Sequence, residues 1–402
     1  MTQRIHLVAA ARPNFMKVAP LWLALSEAPG FEPVLIHTGQ HYDFNMSDAF
    51  FADLRLPEPG HHLGIGSGSH AEQTGGVMIA YEQVAQADRP DWLIVVGDVN
   101  STAACTLVAA KLGIRVVHLE AGLRSRDRAM PEEINRLMTD VLADVLWTPS
   151  PDADDNLVAE GIPAERISRV GNIMIDSFEL VRPAIEAADV PGELKLERGR
   201  YGVVTLHRPS NVDEPAQLIR LVDALIEAQR ELPLVFPVHP RTARKLAAQL
   251  LDSRLMRAGV KLIEPLPYVR FMSLVTGAAA AITDSGGIQE ETTYLGIPCL
   301  TLRENTERPV TISEGSNRLT RPELLPIDLH HALTAPRIVR CPALWDGDTA
   351  RRCVEDLVRR TGPAKLPGAE KSPEAYAAEL AHRHSGTADR RASGRSSYRR
   401  SS

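Results

Sequence analysis

The stretch Ala278-Ala279-Ala280-Ala281-Ile282-Thr283-Asp284-Ser285-Gly286-Gly287-Ile288-Gln289-Glu290-Glu291 decides the reading of this chain. Its apolar start, 278–282, reads as a buried strand, and 288–295 reads as a helix. A tight glycine turn separates them. Such a turn leaves backbone N–H groups unpaired at a helix N-terminus, where the macrodipole also favours negative charge. Ser285 adds a hydroxyl donor, and Gly286 and Gly287 let a ligand approach the backbone. The pattern predicts a phosphate cradle near the end of a parallel-strand unit, and so a nucleotide-type ligand.

The same alternation runs outward through most of the chain. Strand-like runs fall at 5–9, 34–37, 93–96, 116–119, 203–206, 234–238, 261–263, 279–282 and 299–302. Helix-like stretches fall at 16–27, 102–112, 132–142, 217–229 and 288–295. Strands at this spacing, joined by helices, mean βαβ units, parallel sheets and right-handed crossovers. The alternation weakens between 171 and 199, where Pro183, Pro191 and Gly192 predict a connection and a domain boundary near 171–175. Each half then holds its own α/β sheet, with ligands at the carboxyl ends of the strands and a cleft between the halves. Beyond Arg360 the pattern breaks at Pro363, Pro367 and Pro373. Residues 383–402 are almost all Arg, Ser, Gly, Ala, Thr and His, and read as a disordered, solvated tail.

With 402 residues, 44% apolar and 24% charged, the chain can bury two α/β cores. A net charge of −6 argues against a general nucleic-acid binder, which is usually basic. Cys105, Cys299, Cys341 and Cys353 lie far apart with no CxxC, and read as small core residues, not ligands or disulfides. No run reaches the roughly 18 apolar residues of a membrane span. The apolar start reads as a first strand, not a signal peptide. The expectation is a soluble cytoplasmic protein.

Polar clusters end the strands. Arg12-Pro13-Asn14 follows the first, with Lys17 one turn into the next helix. Gly39-Gln40-His41 follows the second, and Gly97-Asp98 and Glu120-Ala121-Gly122 follow two more. Asp98 and Glu120 are one strand–helix–strand period apart, which puts both carboxylates at one sheet edge. Glu132 follows Pro131 at a helix start. Three acids near a phosphate cradle suit proton transfer, and like charges gathered there raise at least one pKa. Taken singly, Asp98 also reads as a helix cap, and Glu132 as a first-turn acid serving the helix dipole. Glu120 has no such alternative. The acids lack the accompanying pattern of a metal site. In the second half, His207-Arg208 and Arg308 end strands on the edge carrying the cradle and suit a diphosphate. His239, between prolines, reads as a turn residue.

Together these clusters resemble the non-hydrolysing UDP-N-acetylglucosamine 2-epimerases. The matching segments include Ala11-Arg12-Pro13, Thr38-Gly39-Gln40-His41, Gly97-Asp98, His118-Leu119-Glu120-Ala121-Gly122-Leu123-Arg124, Met130-Pro131-Glu132-Glu133-Ile134-Asn135-Arg136, His207-Arg208, 284–291 and Thr306-Glu307-Arg308-Pro309. They stand in family order from residue 4 to about 361. The resemblance implies an α/β fold of two Rossmann-like domains facing a cleft, glycosyltransferase-B-like, with a C-terminal helix crossing back to the first domain. The expected division is 1–172 for the N-terminal domain, 173–346 for the UDP-binding domain, 347–362 for the closing helix and 363–402 for the tail. Homodimers are usual in the family.

The implied reaction is reversible inversion at C2 between UDP-GlcNAc and UDP-ManNAc. UDP leaves C1, 2-acetamidoglucal forms, and UDP re-adds as C2 is protonated on the other face. This needs acid/base groups on both faces and a retained UDP. It requires no redox cofactor and no metal. The resemblance implies catalytic roles for Asp98, Glu120 and Glu132, and puts His207 near the diphosphate. Arg12, Ser285, Gly286, Gly287 and Arg308 match phosphate contacts. Lys17 matches a sugar-side lysine, Phe271 a uracil neighbour and Glu291 a ribose contact. Gln40 and His41 match part of an allosteric site for a second UDP-GlcNAc. Val99 departs from the usual Thr, and Leu319-Thr320-Arg321-Pro322 departs from a small Val-Gly stretch. Competing readings are epimerisation of a 2,3-diacetamido uronate, a glycosyltransferase of the same architecture, a nucleotide-sugar sensor and a hydrolysing epimerase.

Overall fold

The structure, a computed structural model, describes residues 2–39, 54–336 and 340–361. The expectations for Gln40, His41 and the 363–402 tail lie outside those residues, as does the side chain of Arg12.

The first half builds a parallel sheet from β1 (Gln3–Ala9), β2 (Phe31–His37), β3 (His61–His62), β4 (Trp92–Val96), β5 (Arg115–Leu119), β6 (Val145–Thr148) and β7 (Ile167–Arg169). Their order is β3-β2-β1-β4-β5-β6-β7. The second half builds another from β8 (Gly202–Thr205), β9 (Leu234–Pro237), β10 (Lys261–Ile263), β11 (Ala280–Thr283), β12 (Cys299–Leu302) and β13 (Asn317–Thr320), in order β10-β9-β8-β11-β12-β13. The central strands are buried end to end, as in the run Trp92-Leu93-Ile94-Val95-Val96. That suits parallel strands covered on both faces.

The longer helices include α1 (Arg12–Glu27), α2 (His70–Ala87), α3 (Asn100–Lys111), α4 (Pro131–Leu142), α5 (Pro151–Ala159), α6 (Ile173–Ala188), α7 (Pro215–Gln229), α8 (Tyr268–Thr276), α9 (Gly286–Leu295), α10 (Leu325–Thr334) and α11 (Thr349–Thr361). All nine expected strands form. Strands β3, β6, β7 and β13 were not expected: each has at most four residues, and β13 contains Arg318. Such short pieces carry little periodicity.

A larger correction concerns the predicted connection after Gly171. Residues 173–188 form α6, with Pro183 inside it. Proline removes one helical hydrogen bond, and packing outweighs that loss here. Phe178, Val181 and Ile185 of α6 join one apolar cluster with Leu21 of α1 and Met272 of α8, so α6 packs against both halves. Asn172 caps it, accepting the Met174 N–H at 2.9 Å. The last helix, α11, returns to the first sheet. Its Asp356 accepts hydrogen bonds from Trp147 Nε1 (2.8 Å) and Ser168 Oγ (3.0 Å).

Candidate active site

Each sheet reverses strand order once, between β1 and β4 and between β8 and β11. Loops leaving such strands splay apart and open a crevice at their carboxyl ends. The chemistry-bearing residues stand there: Asp98 after β4, His207 after β8 and Ser285 after β11. A cleft of about 1520 Å³ runs between the halves. Lys17, Asp98 and Glu132 line it from the first half, and His207, Phe271 and Ser285 from the second.

Glu120 is different. It sits just behind the wall, 8% exposed, with a positive φ of 73°. Its backbone N–H and that of Ala121 both donate to the Trp147 carbonyl at 3.1 Å, which over-determines this strained geometry. Oε2 pairs with Lys17 Nζ, and Oε1 lies 2.8 Å from Arg308 Nη2. Arg308 in turn sets Nη1 2.6 Å from Glu307 Oε1. Its Nε lies 2.9 Å from Glu290 Oε1, at an angle that leaves Nε without a hydrogen bond. Arg303 Nη2 closes the group at 2.8 Å from Glu307 Oε2.

Three buried carboxylates thus alternate with three cations. Burial pushes the Glu120 carboxyl up, but Lys17 and Arg308 hold it below its usual range. Burial drives Glu290 upward despite Arg308. The expected like-charge cluster is therefore not what forms around Glu120, because cations from both halves are interleaved.

Asp98 does not cap α3: the cap position is Val99, with no side-chain hydrogen bond. Its Oδ2 instead takes Arg136 Nε at 3.0 Å, and its carbonyl takes Asn135 Nδ2 at 2.8 Å. Glu132 sits exposed in the first turn of α4 and lines the cleft, so the position serves the helix dipole as well as the site. Its neighbour Glu133 is buried and accepts the Ser125 and Arg126 N–H groups at 3.0 and 2.9 Å.

Across the cleft, α9 begins at Gly286 with Ser285 at its cap position. A Cβ at Gly286 would lie 2.8 Å from Arg308 Nη1, whereas one at Gly287 would meet nothing within 4 Å. Gly287 is therefore the open side of this glycine turn. His207 Nδ1 lies 3.0 Å from Asp284 Oδ1. Asp284 also accepts the Arg208 N–H at 2.9 Å and Asn211 Nδ2 at 3.1 Å. Against the cost of burial, His207 and these donors hold its carboxyl below the usual range. An ionised Asp284 draws the proton of Nδ1, and Nε2 is the nitrogen left for a ligand. Burial, and then Arg303, pull the Arg208 guanidinium below its usual range, as expected of a cationic site suited to anions. His239 caps the helix Pro240–Ala248, accepting the Arg241 N–H at 3.3 Å.

Glu291 lines the cleft beside Phe271, and Tyr268 donates to its Oε1 at 2.7 Å. Burial, reinforced by Glu290, pushes Glu291 up to about 8. Sequence reading missed Tyr268, although it stands one helical turn before Phe271. Arg136 also went without a role, although its spacing from Glu133 is that of a helical ion pair. Asp140, on the buried face of α4, had no detectable signal.

Two parallel sheets facing a cleft, with a glycine-headed helix opposite acidic side chains, define an enzyme of glycosyltransferase-B-like architecture. The family profile described as UDP-N-acetylglucosamine 2-epimerase matches residues 23–357. The UDP-N-acetylglucosamine 2-epimerase homolog of Methanococcus maripaludis is 42% identical over 319 residues, 79% of this chain and 88% of that protein. The UDP-2,3-diacetamido-2,3-dideoxy-D-glucuronate 2-epimerase of Pseudomonas aeruginosa is 38% identical over 319 residues, with the same coverage. The crystal structure of Methanocaldococcus jannaschii UDP-GlcNAc 2-epimerase in complex with UDP-GlcNAc and UDP superposes with a TM-score of 0.81, at 38% identity, covering 89% of this chain and 99% of that one. The chain belongs to the UDP-N-acetylglucosamine 2-epimerase family. No helix among its described residues is long and apolar enough to cross a membrane.

Proposed function

We propose that this enzyme interconverts UDP-GlcNAc and UDP-ManNAc by inversion at C2. The observation that carries this reading is the opposition, across one cleft, of the Ser285–Gly287 helix start to Asp98 and Glu132. The diphosphate binds at Ser285, Gly286 and Gly287, with His207 Nε2 and Arg308 as further contacts. Arg308 then trades one carboxylate for a phosphate oxygen. Phe271 flanks the uracil, Glu291 meets the ribose, and Lys17 lies on the sugar side.

The C1–O bond breaks with its electron pair leaving on UDP, and the ring gains oxocarbenium character. A carboxylate takes the C2 proton, and the C–H pair forms the C1=C2 bond of 2-acetamidoglucal. UDP re-adds to C1 while C2 is protonated on the opposite face. Asp98 and Glu132 reach the cleft directly and act as the acid/base groups. Glu120, held ionised by two cations, stabilises the developing positive charge.

A second reading is favoured by the Pseudomonas aeruginosa relative: C2 inversion of a UDP-linked 2,3-diacetamido uronate. Incubation in deuterium oxide with each nucleotide sugar, followed by NMR, separates the two. Deuterium entering C2 together with UDP-ManNAc signals supports the first. Exchange confined to the uronate supports the second, and no exchange with either removes both.

We assign the division of the chain to the junction at 172/173, where α6 begins, with α6 as the shared pivot. A homodimer is supported by Ile79 of α2 and Val141 of α4, which are 66% and 61% exposed, and sedimentation tests it. The four free thiols support a reducing compartment, the cytoplasm.

A further inference from the structure

We propose that the buried pair His118–Asp140 is a positioning device that sets the three carboxylates of the site relative to one another. This rests on the reading of function given above.

His118 lies on β5 with no exposed surface. Its Nδ1 is 2.6 Å from Asp140 Oδ1, and its Nε2 is 2.8 Å from the Gly97 carbonyl oxygen. A carbonyl oxygen only accepts, so Nε2 carries a hydrogen and the ring orientation is locked. Asp140 Oδ2 takes the Gly122 N–H at 3.1 Å and lies 2.7 Å from Arg124 Nη2. The polar atoms of both side chains are therefore fully engaged, as buried polar groups require.

Three elements meet at this pair, and each carries one carboxylate. Gly97, at φ 68°, directly precedes Asp98. His118 is on β5, two residues before Glu120, which directly follows that strand's last residue. Asp140 is on α4, two turns after Glu132 and one turn after Arg136, which grips Asp98 from the other side. The β4–α3 loop and α4 are thus braced twice, through Arg136–Asp98 and through Asp140–His118–Gly97. Neither His118 nor Asp140 lines the cleft. Their influence on proton transfer passes through the backbone at Gly97 and Gly122. A displacement of about 1 Å at a reacting group costs on the order of 10²-fold in rate.

The test uses the full-length protein with His118→Gln, and with Asp140→Asn as a second variant that preserves volume. Initial rates of C2 deuterium incorporation give kcat and KM, UDP titration calorimetry reports the second half, and thermal melts report folding. The expected result is a kcat lower by on the order of 10²-fold, with KM and UDP affinity within about threefold of wild type. Such a split is not produced by general loosening, which weakens UDP binding as well. Full kcat in either folded variant overturns the positioning role, as does a loss of UDP affinity matching the loss of kcat. Absence of exchange in the wild type with either sugar overturns the reading of function, and the positioning role with it.

Discussion

Arg308 sets its Nη2 2.8 Å from Oε1 of Glu120, joining the loop after β12 to the end of β5 across the interface of the two halves. Lys17 holds the other carboxylate oxygen. Glu120→Gln keeps the shape and removes the charge that two buried cations share. Breaking one partner of a buried pair costs about 3–5 kcal/mol, and loss of an acid/base or electrostatic group costs about 10²–10⁴-fold in rate. Chemical denaturation and C2 deuterium exchange measure the two effects. A variant as stable as wild type would contradict the pairing described here.

The pH dependence of stability follows from Glu291. Its carboxyl is held at about 8, against an ordinary value of 4.5. Between those values the unfolded chain ionises while the folded one stays protonated, so stability contributed at low pH is lost as pH rises through 8. Glu291→Gln removes that loss, worth roughly 3–5 kcal/mol at about 1.4 kcal/mol per unit. The variant should therefore gain melting temperature over wild type at pH 8 and gain little at pH 5. Equal gains at both would show that Glu291 is ionised in the fold.

Asp356 gives the opposite sign. Burial opposes its charge, yet Trp147 Nε1 and Arg360 hold it below its usual 3.8. Its contribution is present above that value and disappears as pH falls through the lower folded one. Asp356→Ala leaves Trp147 Nε1 and Ser168 Oγ without these bonds and frees α11 from the first sheet. A loss of about 2–4 kcal/mol is expected at pH 7. Hydrogen exchange should localise the new opening to 349–361, and protection unchanged there would refute the latch.

Gly171 adopts φ +98°, and a Cβ added to it would lie 2.2 Å from the Leu344 carbonyl oxygen. The chain crosses between the halves at both positions, and Arg352 Nη1 ties them, at 2.9 Å from Val170 O and 3.2 Å from Leu344 O. Gly171→Ala forces the backbone apart there and should cost about 2 kcal/mol or more, read from urea unfolding. A neutral substitution would mean that this crossing gives way freely.

Much of the site was legible because its signals are local. A strand, two glycines and a helix start are adjacent in the chain, and 284–287 announced themselves. Asp98 and His207 follow strands, so strand counting put them at sheet edges, and Glu132 was legible as a helix-start acid after Pro131. Helix α6 was not legible, because Pro183 signals a break and only burial against both halves outweighs it. Tyr268 and Arg136 were visible as spacings but carried no chemistry until a partner came within reach.

The sequence by itself determined the alternation of strands and helices, the glycine turn at the start of α9 and the supply of acids, because backbone preferences act over a few residues. Only the tertiary structure decided the rest. Strand order brings the loops after β1 and β4, and after β8 and β11, to two switch points that face one cleft. The sign of each carboxyl's shift depends on which cations stand within a few ångströms, and Coulomb energy falls with distance in space, not along the chain. Glu120 is therefore an ionised group held by Lys17 and Arg308, 103 and 188 positions away in the chain. Glu291 stays protonated one residue beyond a glutamate that contacts the same arginine.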